Sequence, residues 1–381
     1  MIKVIRNAKI ITMENDSVIN GEIVIKDNII NDIVDKYNGE FDEEIDALGN
    51  IVMPGLINCH THLGMYNFRN TNDNLKLMDW LNNKIWPIES EMTDKDISDA
   101  SYNSCIEMIS SGTTSCADFY YGDATESIKK SGIRCLYTRC LMDSDNNGET
   151  RFNEFKNLYE REKDKSDLIT YSMSFHSFYT CTMDYIKECK KYADEINLIV
   201  NIHYMENEDE HNSVDSKSID VLLDNKLIMA HGVYIDDYSK FKNKDVSIAY
   251  NPISNLSLGC GFADIIKMKE NNINVCIGTD GVGSGYTLNL FKHLNFAYLL
   301  SKGIYKDPSV ISAYEVLKMA TVNGAKALGI DKLGMIKKGY KADIIIAELK
   351  DKPVNNEFVA LLTNNVEVKC TIINGNVLYK N

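Results

Sequence analysis

The chain has 381 residues, a length about right for a large barrel and a smaller second unit. With 44% apolar and 25% charged residues, its composition is that of an ordinary globular protein. The formal net charge of -14 argues against the basic face that nucleic-acid binding requires. No apolar run is long enough to span a bilayer, and Met1–Arg6 lacks the apolar core of a signal peptide. We therefore expect a cytoplasmic protein that binds neither nucleic acid nor membrane.

Both ends of the chain are predicted to form short strands separated by turns. The strands predicted within residues 1–53 are Lys3–Ile11, Gly21–Lys26 and Ile29–Asp35, with a turn at Asn20–Gly21. The same pattern returns at Ala342–Glu348, Val366–Ile373 and Val377–Tyr379, with a turn at Asn374–Gly375. We therefore predict a small composite β-sandwich domain built from residues 1–53 and 334–381.

Residues 54–333 alternate between apolar strand-like runs and amphipathic helical stretches. The predicted strands are Leu56–His60, Thr114–Phe119, Arg134–Leu141, Ile169–Phe175, Leu198–His203, Leu227–His231, Val246–Ala249 and Asn274–Ile277. Eight repeated βα units predict an α/β fold in which a parallel sheet closes into a (β/α)8 TIM-like barrel. The alternative is an open, doubly wound sheet.

Histidines and one aspartate lie at the predicted carboxyl ends of these strands, where a barrel of this type places its active site. The first strand runs into His60–His62, and residues two apart on a strand project to one face, so both imidazoles can bind one ion. His203, His231 and Asp280 end three further strands. Each histidine alone could be a buried core residue whose hydrogen bonds are made within the protein. Together, imidazoles and a carboxylate match the ligands of zinc or iron(II), with a position left for water.

The number of metal ions follows from the fourth strand. A site with two ions would need a bridging ligand there, usually a modified lysine. That strand ends in Ser174–His176 and offers no lysine, so we predict one divalent ion.

The ten cysteines are scattered through apolar stretches, and none forms a Cys-x-x-Cys pair. Disulfide frameworks are typical of small secreted chains, so we expect reduced core residues. Cys59, beside His60, could be a soft metal ligand, but alternation along a strand would point it away from the face that His60 uses.

The segment Pro54-Gly-Leu-Ile-Asn-Cys-His60-Thr-His62 resembles the amidohydrolase superfamily. Further segments resemble its branch of methylthioadenosine, S-adenosylhomocysteine and related purine deaminases: Gly112-Thr-Thr114, His203-Tyr-Met-Glu206, His231-Gly-Val233, Asn251-Pro-Ile-Ser-Asn255, Gly278-Thr-Asp-Gly281, Thr321-Val-Asn-Gly-Ala-Lys-Ala-Leu-Gly329 and Gly339-Tyr-Lys-Ala-Asp343. The match covers nearly the whole chain. It implies a metal-dependent deaminase that releases ammonia from S-adenosylhomocysteine, 5-methylthioadenosine or adenosine.

The resemblance also implies a ligand set for the metal, zinc or alternatively iron: His60, His62, His203 and Asp280. The metal would lower the pKa of a bound water, so that hydroxide attacks the amino-bearing ring carbon. Asp280 would then serve as base as well as ligand.

Two further catalytic roles are implied by the same resemblance. Glu206 would carry protons to the ring nitrogen and to departing ammonia, and His231 would orient the hydroxide. By composition alone, Glu206 would be a solvated residue of the acidic loop Glu206–Glu210.

Substrate-binding roles are likewise implied by the resemblance. Glu89, in Trp86-Pro-Ile-Glu89, matches a residue that accepts ribose hydroxyls, and His176 matches one that contacts a purine ring nitrogen. Arg139 and Arg151 match residues that pair with the amino-acid carboxylate, which a guanidinium binds bidentately. The alternative for Arg151 is an exposed helix charge.

The stretch after Asp280 departs from the family pattern, which is rich in asparagine and then acidic. Here it is Gly281-Val-Gly-Ser-Gly-Tyr-Thr-Leu-Asn289, and this leaves the pocket rim and the exact substrate open.

Three other functions are therefore carried forward. One is a deaminase of another ring, such as guanine, a pterin or a cytosine-like base, and another is a triazine-type hydrolase. The third is a structural protein that has lost its metal, against which the intact ligand set speaks. In every enzymatic reading the partner is a small-molecule substrate, and we expect a homo-oligomer.

Overall fold

Two eight-stranded sheets organise the computed structural model, which describes residues 1–72 and 74–381. The strands in chain order are β1 (Ile2–Ile11), β2 (Val18–Lys26), β3 (Ile29–Val34), β4 (Glu43–Asp46), β5 (Ile51–Pro54), β6 (Leu56–Thr61), β7 (Thr113–Asp118), β8 (Arg134–Tyr137), β9 (Ile169–Phe175), β10 (Ile199–Tyr204), β11 (Leu227–His231), β12 (Val246–Tyr250), β13 (Asn274–Ile277), β14 (Ile344–Leu349), β15 (Val366–Ile373) and β16 (Asn376–Lys380).

Helices connect the strands and cover the barrel. The α-helices are α1 (Leu77–Trp80), α2 (Trp86–Glu89), α3 (Asp94–Ser110), α4 (Thr125–Ser131), α5 (Gly148–Glu162), α6 (Met183–Glu195), α7 (Glu208–Ser213), α8 (Pro252–Ser257), α9 (Ile265–Glu270), α10 (Val282–Gly285), α11 (Leu290–Tyr305), α12 (Ala313–Met319), α13 (Val322–Ala327) and α14 (Glu357–Thr363). Short 3-10 helices span Leu63–Phe68, Ser218–Leu222 and Tyr238–Phe241, and a π-helical turn spans Leu81–Ile85. Among the described residues, no helix has the length and apolar character needed to cross a membrane.

The barrel consists of β6 to β13, which pair in parallel and in sequence order. Its first and last strands meet at the carboxyl end, because the amides of Thr279 and Asp280 both donate to the carbonyl of His60 at 3.0 Å. This confirms the (β/α)8 prediction and excludes a doubly wound sheet, whose strand order reverses at a switch point.

One barrel strand is shorter than predicted. The run Arg134–Leu141 was expected to be a single strand, but β8 ends at Tyr137, and Leu141 forms only an isolated bridge with Phe175. The apolar pattern continues past the point where the hydrogen-bonded ladder stops. Arg139 therefore lies on the loop that follows the strand.

All ten cysteines lie in the described part of the chain and are free thiols, as predicted. Cys59 packs with Cys276 and is not among the described groups that could hold a metal ion. Its orientation relative to His60 stays a prediction.

The second sheet joins the two ends of the chain. Its order is β16-β15-β14-β5-β1-β2-β3, with β4 paired to β1, and β5 runs antiparallel to β14. It encloses its own apolar cluster, which includes Ile5, Ile10, Ile25, Ile344 and Ile372. The composite terminal unit is thus confirmed, while domain bounds at 53/54 and 333/334 stay a prediction.

One of the two predicted turns in this sheet is wrong. Asn20–Gly21 lies inside β2, where Gly21 pairs with Ala8 at a register shift, and the chain reverses at residues 12–17. A side chain at position 21 would approach the carbonyl of Val34 to 2.8 Å, so close packing against β3 explains the glycine. Asn374–Gly375, both at positive φ, forms the predicted turn.

A buried ion pair joins the two sheets. Nε and Nη2 of Arg134, at the start of β8, donate to the Asp343 carboxylate at 3.0 and 3.1 Å, and both side chains are almost fully buried. Asp343 also accepts from the amide of Asn374 at 2.8 Å. The last residue before β14 is therefore fixed to the barrel wall.

Breaking this pair should destabilise the whole chain, because removing either side chain leaves the other as an uncompensated buried charge. We expect Arg134→Met or Asp343→Asn to lower the free energy of unfolding by about 3–5 kcal/mol. As a control, Lys95→Ala removes an exposed ion pair with Asp99 and should cost at most about 1 kcal/mol. Chemical denaturation measures both, and equal small losses would contradict a structural role for the buried pair.

Candidate metal centre and active site

Five side chains meet at the carboxyl end of the barrel. His60 and His62 come from the end of β6, His203 from β10, His231 from the last position of β11, and Asp280 from just after β13. The ring centre of His60 lies 5.0 Å from that of His62, 4.9 Å from His203 and 5.5 Å from His231. The structure thus brings together the residues whose strand-end positions indicated a metal site.

Hydrogen bonds donated by Nδ1 orient three of these imidazoles. Nδ1 of His62 lies against the carbonyl of Phe119, and Nδ1 of His203 lies 2.7 Å from the carbonyl of His176. Nδ1 of His231 lies 2.8 Å from Oδ1 of Asn255. Each acceptor favours a proton on Nδ1, so Nε2 is the nitrogen that each ring would offer to a metal ion.

The two oxygens of Asp280 have different surroundings. Oδ1 lies 2.9 Å from Nε2 of His62 and 3.5 Å from Nε2 of His60, whereas Oδ2 accepts hydrogen bonds from Ser254 and Ser284. Burial alone would raise the pKa of Asp280, but the neighbouring imidazoles of His60 and His62 hold that pKa well below its usual range. Asp280 is therefore an anion at neutral pH.

The donor set fits a divalent cation. Ligand atoms of His60, His62 and His203 lie within 4.8 Å of one another, as do those of His60, His231 and Asp280. Nε2 of His60 is buried and has no hydrogen-bond partner among the described residues. An unpartnered nitrogen beside an anionic oxygen is the arrangement that a cation would complete.

Protonation in this cluster agrees with that fit. Burial lowers the pKa of His60 to about 3 and that of His203 well below its usual value, so both imidazoles are neutral. Burial acts to lower the pKa of His62, but the Asp280 carboxylate raises it above its usual value, so His62 holds its second proton more strongly. A cation bound between His62 and Asp280 would displace this proton from the imidazole, as metal binding generally does.

The backbone at the site is strained. His231 and Asp280 have φ of 77° and 61°, in the left-handed region that favours glycine. Gly278 is required by close packing, because a Cβ there would overlap Oδ1 of Asn251. Such conformations persist only where the surrounding fold enforces them.

Glu206 lies inside the site, and the alternative of a solvated loop residue is wrong. Its side chain is buried, and Oε1 lies 3.6 Å from Nδ1 of His231. Burial, reinforced by the negative charge of Asp280, raises the pKa of Glu206 well above its usual value. Glu210 is also buried, and its Oε2 accepts the Glu206 amide at 2.8 Å.

Two candidate substrate residues border this cluster. The Glu89 side chain is half-buried and accepts the hydroxyl proton of Tyr120 at 2.7 Å, and the Tyr120 ring lies 6.1 Å from that of His62. His176 follows β9, with its ring 5.0 Å from that of His203. Burial lowers the pKa of His176 to about 4, so this imidazole is neutral.

The two candidate arginines already have partners in the chain. Nη2 of Arg139 donates to Glu154 at 2.7 Å, and Arg151 forms a bidentate pair with Asp145 at 2.6 Å in both bonds. Arg151 lies in the first turn of α5 and is partly buried, so it is not a freely exposed helix charge. Nε and Nη1 of Arg139 have no hydrogen-bond partner among the described residues, so both could donate to another acceptor.

Several groups in the site were not singled out by sequence reasoning. Ser254 and Ser284 donate hydrogen bonds to Asp280, and Asn255 accepts one from His231. Glu210 accepts a hydrogen bond from the backbone amide of Glu206, and Tyr120 donates one to Glu89. Ser254 and Asn255 belong to the segment Asn251–Asn255, whose resemblance to the family was noted without a role. Ser284 lies in the departing stretch after Asp280.

Comparison with known proteins gives full-length matches. A model of the amidohydrolase family matches residues 51–378. The chain is 35% identical to a 5'-deoxyadenosine deaminase of Methanosarcina acetivorans, over 99% of this chain and 93% of that one. It is 36% identical to a 5-methylthioadenosine/S-adenosylhomocysteine deaminase of Acetivibrio thermocellus, over 99% and 94%. A zinc-bound adenosine deaminase structure from Xanthomonas campestris superposes with a TM-score of 0.90 at 25% identity, over 98% and 92%.

The geometry predicts one tightly bound ion. Purified protein should contain about one zinc or iron per chain by elemental analysis, because the two groups of close ligand atoms, one with His62 and His203 and one with His231 and Asp280, share His60. His203→Ala should lose the ion. His211→Ala should keep it, since His211 pairs with Asp236 and stands partly exposed outside the cluster. Two tightly bound ions per chain, or an unaffected His203→Ala protein, would contradict this prediction.

Proposed function

The chain belongs to the amidohydrolase family, and we propose that it is a metal-dependent deaminase of adenine nucleosides that lack a free 5'-hydroxyl. The relatives are named for 5'-deoxyadenosine, 5-methylthioadenosine and S-adenosylhomocysteine, which share an adenine ring and a ribose whose 5' carbon carries no hydroxyl. The observation that carries the proposal is Glu206, a buried carboxyl group with a raised pKa beside the histidine cluster.

The proposed ligands are His60, His62, His203 and Asp280, which hold one zinc ion, or alternatively iron. When bound, such an ion supplies Lewis acidity and makes water a nucleophile at neutral pH. Oδ1 of Asp280 faces the histidine nitrogens and is the proposed acceptor of the proton that the attacking water loses.

Glu206 moves the remaining protons in this proposal. Hydrolysis forms a carbon–oxygen bond at the amino-bearing ring carbon and breaks the carbon–nitrogen bond. The ring nitrogen takes up a proton during attack, and ammonia leaves with another. A carboxyl group with a raised pKa keeps its proton to higher pH and can donate the first proton, and its carboxylate can then relay the next.

His231 orients the attacking water. With its Nδ1 proton donated to Asn255, Nε2 of His231 is an acceptor for a hydrogen bond from that water. The hydrogen bond to Asn255 holds the ring in this direction. Its contribution is electrostatic and geometric, since its pKa is lowered by burial and the ring stays neutral.

The substrate would be held by groups on the rim of this cluster. Glu89 would accept ribose hydroxyls with Tyr120 holding its other oxygen, and neutral His176 would contact a purine ring nitrogen. Arg139 and Arg151 would bind the amino-acid carboxylate of S-adenosylhomocysteine. Of the two, Arg139 has the unpartnered nitrogens. A homo-oligomer and a cytoplasmic location stay predictions.

The proton role of Glu206 predicts a loss of turnover without a loss of metal. We expect Glu206→Gln to bind the ion normally and to lower kcat by roughly 10²–10⁴-fold, the usual contribution of general acid–base catalysis. Glu208→Gln, in an exposed acidic neighbour, should leave kcat unchanged. Near-normal kcat in Glu206→Gln would place the proton relay elsewhere.

A substrate screen tests the proposed activity itself. Ammonia release is measured with 5'-deoxyadenosine, 5-methylthioadenosine, S-adenosylhomocysteine, adenosine, guanine and a pterin. The proposal predicts kcat/KM highest among the first three and lower for adenosine. Activity on guanine or the pterin alone would replace the proposal with a deaminase of another ring.

Within that screen, Arg139→Met separates the substrates. A charge-assisted hydrogen bond contributes about 1.5–3 kcal/mol, so KM for S-adenosylhomocysteine should rise roughly 10–100-fold. KM for 5'-deoxyadenosine, which has no carboxylate, should stay the same. Arg161→Met, in a surface ion pair with Asp123, is the control. A uniform rise for both substrates would mean that Arg139 supports the fold.

A further inference from the structure

Two serine hydroxyls converge on one oxygen of Asp280. Oγ of Ser254 donates to Oδ2 at 2.6 Å, and Oγ of Ser284 donates to the same oxygen at 3.0 Å. The two hydroxyl oxygens lie 2.8 Å apart, and both serines are fully buried. No resemblance noted in the sequence assigned a role to either side chain.

The chain brings these serines together from two separate segments. Ser254 lies in α8, which begins directly after β12 with Pro252 in its first turn. Ser284 lies in α10, the turn that follows Asp280, and this turn needs Gly285 because a Cβ there would overlap the carbonyl oxygen of Thr279. The glycine-rich stretch that departs from the family pattern thus places a hydroxyl on the carboxylate.

The backbone of Asp280 is held by different groups. The hydroxyls of Thr61 and Thr279 donate to its carbonyl at 3.2 and 3.0 Å, and its amide donates to the carbonyl of His60. These bonds account for the left-handed conformation at Asp280. The serines contact the carboxylate itself, so their effect is on its orientation.

We propose that Ser254 and Ser284 are positioning residues that occupy Oδ2 of Asp280 and thereby direct Oδ1 alone to the metal. Oδ1 lies on the histidine side, 2.9 Å from Nε2 of His62, and Oδ2 lies on the serine side. A carboxylate fixed in this way binds an ion through one oxygen and does not rotate to bind through two. The inference rests on the proposed metal site, not on the identity of the substrate.

Metal affinity, measured without substrate, tests this role in the full chain. Zinc is titrated against a chromogenic chelator with wild-type protein and with Ser254→Ala and Ser284→Ala. Loss of a hydrogen bond to a metal ligand typically weakens affinity by about 10–100-fold, and we expect a rise in the zinc Kd of that size in both variants.

Ser257→Ala is the matched control on the same helix. Its hydroxyl donates to the carbonyl of Ser284 at 2.7 Å but does not touch Asp280, so its zinc Kd should stay close to the wild-type value. Ser254→Thr keeps a hydroxyl and should restore most of the affinity. Thermal melting of the metal-free variants identifies any protein that has simply lost its fold.

The outcomes separate this inference from the proposed function. Wild-type zinc affinity in both alanine variants, or an equal loss in Ser257→Ala, would overturn the positioning role and leave the proposed deaminase untouched. Wild-type protein that binds no zinc or iron would overturn both. A selective loss in Ser254→Ala and Ser284→Ala, restored by Ser254→Thr, would support the inference.

Discussion

Oδ1 of Asp280 lies 2.9 Å from Nε2 of His62 at the carboxyl end of the barrel, in a position almost closed to water. An ionised carboxylate without compensation costs several kcal/mol in such a place, so the surrounding groups must offset its charge. Histidine nitrogens face Oδ1, and hydroxyl groups face Oδ2. A divalent cation would complete the balance, and the rest of the site follows from this requirement.

The barrel meets the requirement because parallel strands end at one rim. Each strand needs to contribute only one or two side chains for the group to converge, and the connecting segments then supply the residues that fix those side chains. Carbonyls of Phe119 and His176 set the ring nitrogens of His62 and His203. The same burial and the same negative charge raise the pKa of Glu206.

The sequence predicted those parts of the structure that depend on local patterns. Buried parallel strands are continuous apolar runs, and as a result all the barrel strands were placed close to their observed positions, with His60, His203 and His231 at their ends. Local signals failed where tertiary pairing decides. The dipeptide Asn20–Gly21 favours a turn, yet pairing with β1 keeps it within a strand. The apolar run that begins in β8 continues beyond Tyr137, where the backbone hydrogen bonds of the strand end.

The groups that orient the site could not be predicted from one sequence. Ser254 and Ser284 are thirty residues apart, and nothing in their spacing indicates a shared carboxylate. Asp343 was noted only as part of a family-like segment, whereas the structure gives it a buried guanidinium partner. Such roles arise where loops meet, and these meetings are set by the whole fold.

The position of the metal is the most direct test of the central claim that Asp280 and the histidines share one ion. Anomalous diffraction from crystals of the metal-loaded protein should show one peak, about 2.0–2.2 Å from the nitrogens of His60, His62 and His203 and from Oδ1 of Asp280. A second peak bridged to the first, or a single peak away from Asp280, would contradict the account.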